Sequence, residues 1–163
     1  VSLLLEAGAD KVSIGSAGVA RPELLAEIAG EHGNQILVIS LDIKRGASPS
    51  GFVITSHGGR QETGLDALQW IERVQELGAG ELLINSIDAD GTREGFDLDL
   101  IEKVRRISAV PIIASGGAGK VSDFVDAAQA GADALLAASV FHSGEISIAQ
   151  VKQALEQVGI EAR

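Results

Sequence analysis

One joint, used three times, limits the fold of this chain more than any other feature. Gly8-Ala9-Asp10-Lys11, Gly78-Ala79-Gly80-Glu81 and Gly131-Ala132-Asp133-Ala134 each part a helix-like stretch from a short apolar run. A glycine just past a helix supplies the left-handed backbone that ends it, so each quartet reads as a helix stop and a strand start. Gly33 is expected to do the same before the second strand. Recurrence of the joint points to one βα design used repeatedly.

The stretches between the joints agree with that reading. Candidate strands are Lys11–Gly15, Ile36–Asp42, Glu81–Ser86, Val110–Ser115 and Asp133–Ala138. They are nearly continuous in apolar residues, the pattern of parallel strands buried on both faces. Helices are expected at Pro22–His32, Leu65–Leu77, Leu98–Ile107, Val121–Ala130 and Ile148–Val158. In the second, Leu65, Leu68, Ile71, Val74 and Leu77 share one broad face. Val12 to Asp133 spans 121 residues in four strand-to-strand steps, about 30 each. Eight such units need roughly 240 residues, so this length holds five of them. A complete five-stranded doubly wound domain fits it equally well, and periodicity leaves both open.

Composition removes several classes of function. Thirteen Lys and Arg stand against twenty-three Asp and Glu, a net charge of −10, the wrong sign for a nucleic-acid partner. With no Cys there is no disulfide scaffold, thiolate metal site or Cys nucleophile, and 3% aromatic residues are too few for a base-stacking platform. No apolar run approaches the ~18–20 residues of a membrane span, and no signal-peptide pattern is present. A cytoplasmic protein with no membrane partner is expected. The chain begins at Val1 and contains no Met, so its natural start is expected to have been removed.

In either architecture chemistry belongs at the carboxyl ends of the parallel strands. Those ends carry Gly15-Ser16, Asp42 with Lys44, Ser86 with Asp88 and Asp90, Ser115-Gly116-Gly117, and Ser139. Ser115-Gly116-Gly117-Ala118-Gly119-Lys120 stands between a strand and a helix, where glycines let backbone N–H groups approach an anion. Ala137-Ala138-Ser139 adds further N–H groups and a hydroxyl from the next strand, so a phosphate is the expected ligand; a plain tight turn is the alternative. Asp42 closes an apolar strand at the rim, a position suited to general acid–base work. Its alternative roles are a helix N-cap or an ion pair with Lys44 or Arg45. Asp88-Ala89-Asp90-Gly91-Thr92 offers too few oxygens for a hard metal and reads as a turn that hydrogen-bonds substrate. His32, His57 and His142 show no metal-ligand spacing; each reads as a surface or loop residue, His57 alone with an active-site prospect. No metal and no cofactor is expected. From Ile43 to Thr63 a glycine-rich insert carrying Lys44, Arg45 and Arg60 reads as a lid or binding loop able to attract an anion.

Taken together, Gly8–Ile14, Leu41-Asp42-Ile43-Lys44-Arg45, His57-Gly58-Gly59-Arg60 through Gly64, Asp88–Thr92, Ile113–Gly119 and Ala137–His142 resemble one family, in order and with matching spacing. It is the cyclase subunit of imidazole glycerol phosphate synthase. The resemblance implies an α/β fold, a partial TIM (βα)8 barrel. Residues 1–163 would form a single domain, its C-terminal five βα units, giving strands four to eight with their helices. It also implies a lyase of histidine biosynthesis. Ammonia from a glutaminase (glutamine amidotransferase) partner would be added to a bisphosphorylated aminoimidazole-carboxamide ribulosyl substrate. The products would be imidazole glycerol phosphate and aminoimidazole carboxamide ribotide. Of the family's two acid–base aspartates Asp42 matches one; the other lies on the first strand and has no match here.

By the same resemblance Gly117, Ala138 and Ser139, with Ser115 and Gly116 beside them, match one phosphate site. Gly15-Ser16 falls where the family often has Asn-Thr at the second. Ser86 and Asp90 match pocket positions, and Lys11 and Glu81 match charged residues around the ammonia entrance. The 163 residues alone are expected to be inactive. Two alternatives remain: the sibling aminoimidazole ribotide isomerase, disfavoured by Lys44-Arg45 and His57–Arg60, and a non-catalytic phosphate-binding or subunit-interaction module.

Overall fold

The computed structural model describes residues 1–162. In chain order the strands are β1 (Val12–Ile14), β2 (Leu37–Arg45), β3 (Phe52–Ser56), β4 (Gln61–Asp66), β5 (Glu81–Ser86), β6 (Ile112–Ser115) and β7 (Ala134–Leu136). The helices are α1 (Ser2–Glu6), α2 (Ser16–Ala20), α3 (Glu23–His32), α4 (Ala67–Glu76), α5 (Leu98–Ile107), α6 (Val121–Gln129), α7 (Ser139–His142) and α8 (Ile148–Gln157). No helix among the described residues is long and apolar enough to cross a membrane.

Strand order decides between the two architectures. β1, β2, β5, β6 and β7 lie side by side in sequence order, every pair parallel. A doubly wound sheet reverses its order partway; a barrel does not. The result is an α/β chain whose mostly parallel sheet follows a barrel's winding and does not close.

Burial gives the same answer and corrects one expectation. Along β5, half-buried Glu81, Leu83 and Asn85 alternate with buried Leu82, Ile84 and Ser86. On β2, Leu37, Ile39, Leu41 and Ile43 are buried, while Ser40 and Asp42 between them are only half-buried. These two parallel strands are therefore covered mainly on one face, not on both. That face joins Leu25, Ile71, Leu100, Val104 and Phe124 of the helices in one core. The opposite face is concave and open.

The repeated joints form as their glycines dictate. Gly8, Gly78 and Gly131 take φ of 99°, 98° and 110°. At each, the glycine N–H and the next N–H bond back to the helix: Gly78 to Gln75 and Ala79 to Val74, for example, both at 3.0 Å. This is a Schellman closure, which satisfies two otherwise orphaned carbonyls. Gly33 differs: it is itself the last capped residue of α3, and the chain enters β2 through a 3₁₀ turn at Asn34–Ile36.

The insert between Ile43 and Thr63 is an ordered antiparallel hairpin rather than an open loop. β3 pairs with the carboxyl half of β2, Asp42 opposite Thr55 and Arg45 opposite Phe52, and β4 pairs with β3. Phe52 to Ser56 are all buried. Asp66 then caps α4, accepting from the N–H groups of Leu68 (3.0 Å), Gln69 (3.1 Å) and Ser50 (2.7 Å). α4 therefore starts two residues later than its apolar period suggests.

Candidate functional site

Parallel register sets the site. Asp42 lies beside Asn85, Asn85 beside Ser115, and Ser115 beside Leu136, so all four face the open side in one row. One step toward the amino ends, Ser40 and Leu83 form the row below. Above the rows stand Asp90, Gly91 and Arg93 from the loop after β5, Gly116 to Ala118 after β6, and Ala137 to Ser139 after β7. Together they enclose a cleft of about 380 Å³.

The glycine loop is fixed by close backbone approach. Gly117 has a φ of 103°, and a Cβ there would lie 2.0 Å from the Gly95 carbonyl oxygen. Gly95 donates its N–H to the Gly117 carbonyl at 2.8 Å, strapping the two loops together. Asp123, buried at the start of α6, accepts from the N–H groups of Gly119 (2.8 Å) and Lys120 (2.9 Å). The amides of Gly117 and Ala138 donate to no described residue. A loop with free amides beside a short helix start has the geometry to receive an anion such as a phosphoryl group.

Asp42 is half-buried in the floor of the cleft and accepts a hydrogen bond from Asn85 Nδ2 at Oδ1, 3.1 Å away. It caps no helix and pairs with neither neighbouring cation. Lys44 pairs with Glu62, and Arg45 with Asp97 and Asp99 at 2.9 and 3.3 Å. The positive charge on the insert is thus largely matched within the chain. Glu62 raises the Lys44 pKa by hydrogen bond and charge, opposed by partial burial.

Of the residues singled out in sequence, the cleft gathers Asp42, Asp90, Ser115, Gly116, Gly117, Ala138 and Ser139. Ser86 faces away from it, buried beside Phe96, Asp97 and Leu100, although its carbonyl backs onto Gly116. Gly15 and Ser16 stand at the end of β1 outside the cleft, and the Ser16 hydroxyl accepts the His57 N–H from the hairpin tip at 3.1 Å. His57 is held there with a φ of 54°. Lys11 and Glu81 form an ion pair at the amino ends of β1 and β5, the far end of the same concave face.

Sequence reading passed over Ser40, which a two-residue step from Asp42 on the strand would have found. It also passed over Arg93, a loop residue that only folding brings to the cleft.

A singly wound parallel arc with a carboxylate and an amide-rich glycine loop at its carboxyl-end rim defines a class, the barrel-type α/β proteins. Residues 1–147 match the family described as histidine biosynthesis protein, and the chain belongs to that family. Among its relatives is the imidazole glycerol phosphate synthase subunit HisF of Leifsonia xyli subsp. xyli. It is 66% identical over all of this chain and 65% of the relative. The subunits of the same name from Thermobifida fusca and Beutenbergia cavernae are 59% and 56% identical with the same coverage. The chain thus spans about 65% of the length of these curated relatives.

Proposed function

We propose that this chain supplies the C-terminal five βα units of an ammonia-using cyclase, the synthase subunit its relatives are named for. The reading is carried by one juxtaposition: the Asp42 carboxylate and the free amides of Gly117 and Ala138 share one cleft. The amides and the Ser139 hydroxyl hold one phosphoryl end of a bisphosphorylated substrate. Asp42, steadied by Asn85 at one oxygen, moves a proton at the reacting centre with the other. Gly15 and Ser16 take the second phosphoryl group, and Asp90 and Ser115 line the path between. A glutaminase partner docks at the amino-end face. Ammonia enters beside Lys11 and Glu81 and travels up the concave side. Val38 to Asp42 is four strand steps, roughly 13 Å.

The test is ammonia-dependent turnover of the bisphosphorylated aminoimidazole-carboxamide ribulosyl substrate by the full-length protein. Asp42→Asn is expected to lower kcat roughly 10²–10⁴-fold with little change in substrate affinity. A variant within threefold of the parent would reject the assignment.

A further inference from the structure

Among the described residues Arg93 is the one cationic side chain lining the cleft, whose other charged members are Asp42 and Asp90. Its backbone is pinned. It holds a left-handed φ of 62°, uncommon for a non-glycine residue, and its carbonyl oxygen would lie 2.0 Å from a Cβ on Gly119. The guanidinium reaches across to Glu145, on the segment between α7 and α8, where Nη1 donates to both carboxylate oxygens at 2.9 and 3.1 Å. Nε and Nη2 donate to no described residue. Both side chains are about half exposed, where an ion pair contributes little to stability.

Resting on the cradle of the preceding section, we propose that Arg93 is a ligand for the phosphoryl group held by Gly117 and Ala138, and that Glu145 parks it when the cleft is empty. Arg93 springs from the loop strapped to Gly117 through Gly95, so its guanidinium turns about side-chain bonds alone to face the cradle. A fork of free N–H donors matches phosphate oxygens in geometry and charge. In a chain of net charge −10 it is also the compensation that amides alone do not supply for a dianion. Glu145 then has two effects: it prevents the cation from collapsing onto Asp90, and it competes with the incoming anion.

That competition separates this role from a staple between loops. Inorganic phosphate is titrated into the full-length protein by calorimetry, for the parent and for Arg93→Ala, Arg93→Lys and Glu145→Gln. Unchanged melting temperatures confirm that each variant is folded. Arg93→Ala is expected to bind roughly 10- to 100-fold more weakly, and Arg93→Lys to fall between it and the parent. Glu145→Gln is expected to bind as tightly as the parent or several-fold tighter. Equal weakening by Arg93→Ala and Glu145→Gln would make the pair a staple and overturn the proposal. So would unaltered binding by both Arg93 variants, with the phosphate cradle left standing. A parent that binds no phosphate would overturn the cradle and this proposal together.

Discussion

Replacing Gly117 by Ala tests whether the glycine loop is built by backbone contact. Two costs arise at that position. A side chain at φ of 103° lies outside the ordinary left-handed well, a strain of about 1–2 kcal/mol or more. The new Cβ also lands 2.0 Å from the Gly95 oxygen and 3.0 Å from the Ala89 Cβ, so backbone must move. Overpacking of that kind costs about 1–3 kcal/mol. Together they amount to about 2–5 kcal/mol. Gly144 is the matched control: its φ is 73°, and nothing lies within 4 Å of a Cβ built there, so Gly144→Ala should cost about 1 kcal/mol, from strain alone. Urea unfolding of the full-length protein, compared at equal m-values, reads both. Phosphate affinity should fall with Gly117→Ala because the amide of residue 117 shifts with the strap. If the two substitutions destabilise equally, the close approach of the two loops is not what shapes the cradle.

Asp66 should give the fold an acid-sensitive element. Burial opposes its ionisation, yet hydrogen bonds from Ser50, Gln69 and Ser48 outweigh that and hold its pKa at about 2. A folded-state pKa below the unfolded ~3.9 means the stabilisation, about 2 kcal/mol, is complete above pH ~4 and lost as pH falls toward 2. Unfolding curves of the parent and Asp66→Asn should therefore converge between pH 4 and 2; a constant gap would contradict the account. Removing the Asn85 amide (Asn85→Leu) frees Asp42 Oδ1 and should lower kcat with little change in substrate affinity, whereas an unchanged kcat would show that the 3.1 Å contact does not position Asp42. Under the proposed cyclase reading, the 163 residues assayed alone with ammonia and substrate should show no turnover, because none of the described carboxylates matches the second acid–base aspartate that the resemblance implies; a rate near that of the full-length protein would count against that acid–base pair.

What the sequence disclosed was local and periodic. Three copies of one joint fixed the alternation, because a Schellman closure needs its glycine at one place relative to the next strand. Asp42 and Gly117 could be placed on one rim because parallel strands all end at the same side. The hairpin was hidden for an opposite reason. Its glycines at 46, 51, 58 and 59 look like loop, while Phe52-Val53-Ile54-Thr55, the strand within, is too short for alternation to show. One-sided burial was equally hard to see, since Val38 and Leu83 are apolar yet face the open side beside Ser40 and Asn85. Pairings such as Arg45 with Asp97, 52 residues apart, depend on which loops meet and leave no mark on either neighbourhood.

The open sheet has a consequence for residues 1–163 on their own. At one edge β7 pairs only with β6 among the described residues, and Leu136 is 44% exposed beside it, with Ile148 of α8 at 58%. Behind that edge lies an apolar groove of about 530 Å³. Near the other edge α1, just ahead of β1, shows Leu3 at 80% and Leu4 at 58%. Burying these four side chains corresponds to about 5 kcal/mol of apolar transfer, and a free strand edge adds hydrogen-bond partners. The two edges differ, so the favoured contact is head to tail, which propagates instead of closing as a symmetric dimer. Sedimentation velocity at rising concentration should show a widening range of sizes. Ala134→Lys, on the exposed edge strand, should shift the population toward monomer. A single monomer boundary at every concentration would mean that the edges are already satisfied and that the concave face is not left open by the winding.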